Sequence, residues 1–447
     1  MSQKVGFISL GCAKNLVDSE EMLARLDAAG YQVTGEIENT DAVVVNTCGF
    51  LQSAKEEAAE YFKEIALLKD EGKIGKLIVA GCLAEREKEE LFNEFPEIDA
   101  LVGCGSFSEI AEVCEETLNG QRPARFGDIN APICEQSRML TTPQHTAFLK
   151  IAEGCDNRCS YCVIPTLRGK FRSRSIEDVL SEAEALAQEG VKELILVAQD
   201  TTRYGIDLYG ELKLSELLRE LCRVEGIRWI RVHYMYPDEI DDELIKTIAE
   251  EEKIVKYLDL PIQHVNDRIL KAMNRRGDGA YLDNLFTKLR REIPGLVLRT
   301  SLIAGLPGET DEEFTELCDF LRKHRIERAG VFPYSPEPGS LAAEMPDQVD
   351  EETKSRRCEI IADLQAQIMA DYNETLIGKE ICVLCEGYDR YSEAFFGRTF
   401  ADSPEVDGKV FFTCQDKKKP APGAFVMVRI DEDLDGDPIG KFTAFAK

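Results

Sequence analysis

Three cysteines stand close together after a short apolar stretch: Cys155, Cys159 and Cys162, in Glu153-Gly-Cys-Asp-Asn-Arg-Cys-Ser-Tyr-Cys162. This C-x3-C-x2-C spacing offers three thiolates and no fourth. A [4Fe–4S] cluster is held by four cysteine thiolates. Three ligands therefore leave one iron open to bind something else. A zinc site asks for a fourth Cys or His nearby, and the nearest histidine, His145, precedes the strand. A disulfide framework fits poorly with an odd count of 15 cysteines. The opening residues are also too short an apolar run for a secretory or membrane segment, so a cytoplasmic location is expected.

A second set of three cysteines emerges from the elements that carry them. Hydrophobic periodicity predicts strands over residues 4–10, 42–46, 76–80 and 100–103. Helices are predicted over 15–29, 52–68 and 84–95. This alternation implies a doubly wound parallel sheet in residues 1–135. Cys12, Cys48 and Cys82 each follow one of its strands. Open parallel sheets bind ligands beyond the carboxyl ends of their strands, so these three can meet at one point. Gly11, Gly49 and Gly81 flank them and would give a bulky group room. A second three-thiolate [4Fe–4S] site is the expectation, with Cys104, Cys114 and Cys134 as packing cysteines.

From residue 147 to 376 the strand–helix alternation resumes. Strands are predicted over 147–152, 193–198, 229–234, 257–261, 296–303 and 329–333. Capping boxes at Ser175-Ile-Glu-Asp178 and Thr310-Asp-Glu-Glu313 open two of the helices. Six units suggest a partial (β/α)6 barrel with its chemistry at the strand carboxyl ends. With the cysteine loop, this resembles the radical S-adenosylmethionine (SAM) superfamily. There the open iron chelates the methionine end of SAM, and one electron cleaves the sulfonium. The resemblance implies SAM contacts at Tyr161, before the third cluster cysteine, and at Gly305 in Ser301-Leu-Ile-Ala-Gly-Leu-Pro-Gly-Glu-Thr310. Gln199, Gln263 and His264, at other strand ends, are further candidates; Gly305 would let a flat ring approach the backbone. No catalytic side chain beyond the cluster ligands stands out. His145, His233 and His324 have no ligand-like neighbours and are expected to be structural.

A long helix is predicted over residues 350–376. Short strands follow over 381–384, 395–399, 409–413 and 424–430, a small all-β barrel in residues 377–447 that resembles the TRAM domain. Cys382 and Cys385, three apart on a strand, face opposite sides and cannot form a metal pair. TRAM domains usually bind RNA, but this one carries 10 Lys/Arg against 13 Asp/Glu. The chain as a whole is at −29. Such a surface repels phosphate backbones and attracts basic partners. Direct nucleic-acid binding is therefore not expected, Lys417-Lys-Lys419 being the only basic cluster in this module. Asp431-Glu-Asp-Leu-Asp-Gly-Asp437 is the densest acidic run.

The three parts together resemble the radical-SAM methylthiotransferase family from end to end. Gly11-Cys-Ala-Lys-Asn-Leu-Val-Asp-Ser-Glu20 is similar to the branch acting on the twelfth protein of the small ribosomal subunit, with Ala13 in place of the commoner Pro. Residues 153–169 and 397–408 agree with that branch. The resemblance implies transfer of a methylthio group to the β-carbon of an aspartate in that protein. It also implies two [4Fe–4S] clusters, SAM and an external electron donor. The barrel cluster would reduce SAM to a 5′-deoxyadenosyl radical, the N-terminal cluster would hold or deliver sulfur, and the acidic barrel would dock the basic substrate. A tRNA adenosine methylthiotransferase and a non-catalytic iron–sulfur electron carrier are the alternatives.

Overall fold

A computed structural model describes residues 3–133, 137–417 and 419–446. Cys134 and Lys418 lie outside the described residues. The first sheet contains β1 (Lys4–Ser9), β2 (Gln32–Thr34), β3 (Thr40–Thr47), β4 (Ile74–Gly81), β5 (Ala100–Val102) and β6 (Ala124–Arg125). All its pairs are parallel, in the order β2-β1-β3-β4-β5-β6. Successive strand residues point to opposite faces, and the core divides accordingly. Val43, Val45, Leu77 and Val79 pack with Phe62 and Ile65 of helix Gln52–Asp70. Ala42, Val44, Ile78 and Ala80 pack on the other side with Met22 and Leu26 of helix Ala13–Ala28 and Val113 of helix Ile110–Leu118. Helices on both faces bury the middle of the central strands, which is why Val43–Val45 and Leu77–Ala80 read as unbroken apolar runs. The helix expected over 84–95 is broken. Helix Cys82–Glu87 stops where Lys88 takes φ +50°, and only Leu91–Glu94 resumes it.

The second sheet is a partial (β/α)6 barrel. Its strands β7 (Thr146–Lys150), β10 (Glu193–Val197), β11 (Trp229–Val232), β12 (Ile254–Asp259), β13 (Val297–Ala304) and β14 (Arg328–Pro333) are parallel neighbours in chain order. Between the first two lie β8 (Ala152–Glu153) and β9 (Arg172–Ser173), a small antiparallel pair. The strand expected over 147–152 therefore ends at Lys150. Thr310 completes a capping box with Glu313, whereas Ser175 only accepts from the Asp178 N–H. Leu194 and Leu196 face the outer helices, within the largest core cluster. Ile195, Val197 and Phe148 turn the other way and meet Ala13, Leu16 and Val17. The first helix of the N-terminal sheet thus lies over the inner face of the barrel.

The remaining strands, β15 (Glu380–Asp389), β16 (Ala394–Arg398), β17 (Val410–Thr413), β18 (Phe425–Leu434) and β19 (Asp437–Phe445), close into a five-stranded barrel. Cys385 is in its core and Cys382 is half-buried outside that core, as their alternation requires. The acidic run is not a free loop. Asp431 to Asp433 lie in β18, Asp437 starts β19, and Asp435 (φ +52°) with Gly436 (φ +93°) makes a tight hairpin turn. Such turns need positive φ at both central positions. Asp431 pairs with Lys441 at 2.6 Å, Asp433 accepts from Asn373 at 2.8 Å, and Asp437 accepts the Lys409 N–H at 3.1 Å. Among the described residues this leaves Glu432 and Asp435 as the run's exposed carboxylates without such roles.

The segment between β16 and β17 plugs the amino ends of the large barrel's strands. Glu193, at the start of β10, is fully buried between Arg398 at 2.6 Å and Arg231 at 3.1 Å. Arg231 also donates to the Phe400 carbonyl at 2.9 Å, His233 hydrogen-bonds Ser403 at 3.0 Å, and the Tyr257 hydroxyl donates to Asp407 at 2.7 Å. Burial alone would raise the Glu193 carboxyl, but the two guanidinium groups outweigh it and hold it at about 2. Its ionised form is favoured in the folded chain, so its contribution is complete above its ordinary range of about 4.3 and fades as pH falls toward about 2. Glu193→Ala is expected to cost about 3–5 kcal/mol by leaving the buried Arg231 without a carboxylate and Arg398 with Glu386 alone. Glu193→Gln is expected to flatten the acid limb of stability over that pH window. Thermal melts from pH 7 to pH 2 check both, and an unchanged acid limb in Glu193→Gln would refute the role. Among the described residues no helix is long and apolar enough to cross a membrane.

Candidate functional site

The N-terminal cysteines come from the three strand ends named by the sequence. Cys12 precedes helix Ala13–Ala28 with extended backbone, and its thiol makes no capping bond. Cys48 follows β3, and Cys82 opens the helix after β4. The strand ends touch. A Cβ on Gly11, whose φ is +95°, would stand 2.8 Å from the Cys48 Cβ. A Cβ on Gly49 would stand 2.6 Å from the Cys82 carbonyl carbon. These glycines were expected to make room for a cluster; the room is taken by the neighbouring strand end, which draws the thiols together. Gly81 likewise makes way for the Asn46 side chain.

Around this triad is a buried polar network that sequence reasoning missed. Arg168, at the end of helix Ile164–Arg168, donates from Nε to the Cys82 Sγ at 3.2 Å. Its other nitrogens reach Asn15 at 3.0 Å, Asp18 at 2.5 Å and Glu153 at 3.3 Å. Lys150 pairs with Asp18 and, at 3.2 Å, with Glu153. Two cations and two carboxylates thus neutralise one another inside, as buried charges require. Arg168 lies in the Arg-Gly pair that closes the stretch 153–169, which was its only signal. Cys104 stands 3.9 Å from Cys82, sulfur to sulfur. The Cys104 contact and the Arg168 guanidinium draw the Cys82 thiol down, and Cys104 moves up in turn. Burial pushes Cys48 up to about 11.

The barrel triad lies in the loop between β8 and β9. The Asn157 N–H points at the Cys155 Sγ at 3.5 Å and the Ile164 N–H at the Cys162 Sγ at 3.4 Å. Cys159 has the Tyr236 hydroxyl at 4.0 Å. The loop is fastened on several sides. Asn157 donates to Asp200 at 2.7 Å and accepts from Arg276 at 3.0 Å; Ser160 is bonded through its backbone to Met273 and Ala342. Burial pushes Cys155 up to about 11 and Cys162 to about 12. Thiols so dry ionise when a cation replaces their protons, and the backbone N–H groups aimed at sulfur suit that form. Among the described residues no three His, Cys, Asp or Glu groups close on a single ion. Iron–sulfur ligation asks for something wider, since each thiolate takes its own iron. Both donor sets fit that group.

The predicted SAM contacts separate. Tyr161 packs against Ile269, Met273, Leu306, Tyr334 and Ala342, so burial raises its hydroxyl. Gln199 is half-buried beyond β10, beside Asp200. Gln263 takes φ +67° and bridges through its backbone to Ser301 and Ile303. Gly305 has φ +83°, but the space its Cβ would take holds the Lys354 stem, 2.4 Å away. That helix and the turn already require glycine at this position. His264 is fully buried, accepts the Asn266 N–H at 3.0 Å and is pushed down to about 4 by burial, a structural histidine. His324 pairs with Asp283 at 2.8 Å.

Comparison with known proteins decides the family. The Radical SAM superfamily description matches residues 149–321, the uncharacterized protein family UPF0004 matches residues 4–103, and the TRAM domain matches residues 377–442. The ribosomal protein uS12 methylthiotransferase RimO of Acetivibrio thermocellus is 48% identical over 99% of both chains. That of Desulforamulus reducens is 48% identical over 98% of this chain and 99% of its own. The chain belongs to the uS12 methylthiotransferase family. The TsrM methyltransferase of Kitasatospora setae, a radical SAM enzyme solved with cobalamin and a [4Fe–4S] cluster, shares the fold. Its TM-score is 0.55 at 16% identity, covering 75% of this chain and 74% of that one. This methylthiotransferase is a radical-SAM enzyme, and its cofactors are an iron–sulfur cluster and SAM.

Proposed function

We propose that this enzyme adds a methylthio group to the β-carbon of an aspartate in the basic ribosomal protein uS12, in the cytoplasm, fed by an external electron donor. In this reading residues 1–135 hold one [4Fe–4S] cluster through Cys12, Cys48 and Cys82. Residues 147–376 hold a second through Cys155, Cys159 and Cys162, and residues 377–447 meet the substrate. The observation that carries it is the 48% identity to RimO over 99% of both chains.

The chain's own residues support the chemistry in three ways. An aspartate β-C–H is not acidic enough for a side-chain base. The buried Lys150, Arg168, Asp18 and Glu153 are all paired and offer none. When bound, the barrel cluster supplies the single electron that cleaves SAM. Asn157, Asp200 and Arg276 hold the cysteine loop still while the open ligand position exchanges. Helix Ala13–Ala28 covers the inner face of the barrel and excludes water from it. Its first residue follows Cys12, so this reading puts the sulfur-handling triad at the head of the helix that faces the barrel.

Acidic carboxylates at the β18–β19 tip, Glu432 and Asp435, suit capture of a basic protein rather than RNA. Purified enzyme, SAM and a low-potential reductant are expected to give methylthiolated uS12 by mass spectrometry. Capture should weaken as salt rises, and tRNA should remain unmodified. Modification of tRNA with uS12 untouched would overturn the substrate assignment.

A further inference from the structure

Helix Ile164–Arg168 joins the two cysteine sets. At its start the Ile164 N–H points at the Cys162 Sγ at 3.4 Å; at its end Arg168 Nε donates to the Cys82 Sγ at 3.2 Å. Five helical residues rise about 7.5 Å, so one short rigid element holds a residue against each set. Arg168 is 3% exposed, so its charge is poorly screened by water. Asp18 and Glu153 take NH1 and Asn15 takes NH2, which aims Nε at the sulfur and at nothing else. Cys48 also receives the Phe50 backbone N–H, and Arg168 is the cationic side chain that donates to Cys82.

We propose that Arg168 is the positioning residue of the N-terminal centre, setting the reduction potential of its cluster through a charge-assisted N–H···S bond to Cys82. This rests on the two-cluster reading above. Hydrogen bonds and positive charge at cluster sulfur stabilise the reduced, more negative form and raise the potential. The barrel thiols receive backbone N–H donors at Cys155 and Cys162, and the buried Arg275 lies by Cys159.

Redox titration of wild-type holoenzyme, followed by electron paramagnetic resonance, tests this. The barrel component is recognised by its spectral change when SAM is added. Arg168→Gln is expected to lower the midpoint of the other component by about 59 mV, a tenfold change in the one-electron equilibrium, and to leave the barrel component in place. Arg168→Lys keeps the charge without the fork and is expected to fall between them. It also supplies the measurement if the glutamine variant does not fold. An unmoved N-terminal midpoint in either soluble variant, or equal shifts in both components, overturns the role of Arg168. Absence of a second component in wild-type protein overturns the two-cluster reading and this inference with it.

Discussion

Replacing Cys155, Cys159 and Cys162 together by alanine is expected to abolish SAM cleavage while about half of the iron remains. Each cubane carries four irons, so wild-type protein reconstituted without oxygen should hold about eight. The triple variant should hold about four. The expectation is specific because the two sets share no ligand: one lies at the strand ends of the N-terminal sheet, the other between β8 and β9. Alanine fills less space than cysteine; the donors onto Cys155 and Cys162 are single backbone N–H groups, and Cys159 has the Tyr236 hydroxyl and Arg275 beside it. Iron and sulfide analysis with measurement of 5′-deoxyadenosine checks it. About four irons in the wild type, or cleavage surviving in the triple variant, would falsify the assignment of these thiols.

The architecture was legible where one physical rule acts locally. Strands buried on both faces read as apolar runs, as in Val43-Val-Val45 and Leu194-Ile-Leu-Val197, and the alternation with helices gave parallel sheets. The two cysteine sets were legible for different reasons. Cys155, Cys159 and Cys162 announce themselves by spacing. Cys12, Cys48 and Cys82 are far apart in sequence and became a set only because parallel strands end on one side.

What sequence reasoning missed depends on long-range packing. Arg168, Asn15, Asp18 and Glu153 carry no common spacing, and their network exists only because helix Ala13–Ala28 lies on the barrel. The strand predicted over 424–430 stops short of the acidic run 431–437 because Asp and Gly favour turns. Its pairing with residues 437–445 overrode that preference and made a hairpin. The break at Lys88 has no local signal, since lysine is a good helix former. Gly305 was singled out as a SAM contact; the neighbour without any local signal is Lys354, of a helix about fifty residues later in the chain, which takes the space of a side chain there.

The N-terminal cysteines give the second large effect, and it separates the two chemical halves of the reaction. Cys12→Ala, Cys48→Ala and Cys82→Ala are each expected to keep 5′-deoxyadenosine formation with dithionite, while methylthio product on uS12 falls to background. The barrel loop is fastened by Asp200, Arg276, Met273 and Ala342, none of which belongs to the N-terminal sheet, so the SAM half stays assembled. Cys104→Ala is the control. Its sulfur lies 3.9 Å from Cys82, yet Cys104 follows β5 rather than the strand ends that bring Cys12, Cys48 and Cys82 together. That variant is expected to keep full iron and product. Cys82→Ala should be the most disruptive of the three to its surroundings. It removes the acceptor of Arg168 Nε and leaves a buried donor unsatisfied, at about 1–3 kcal/mol. Cys12→Ala removes a thiol that makes no capping bond and should fold like the wild type. Product loss in Cys12→Ala with unchanged thermal stability therefore isolates the chemical role from the structural one. Product formation retained in all three variants would refute it.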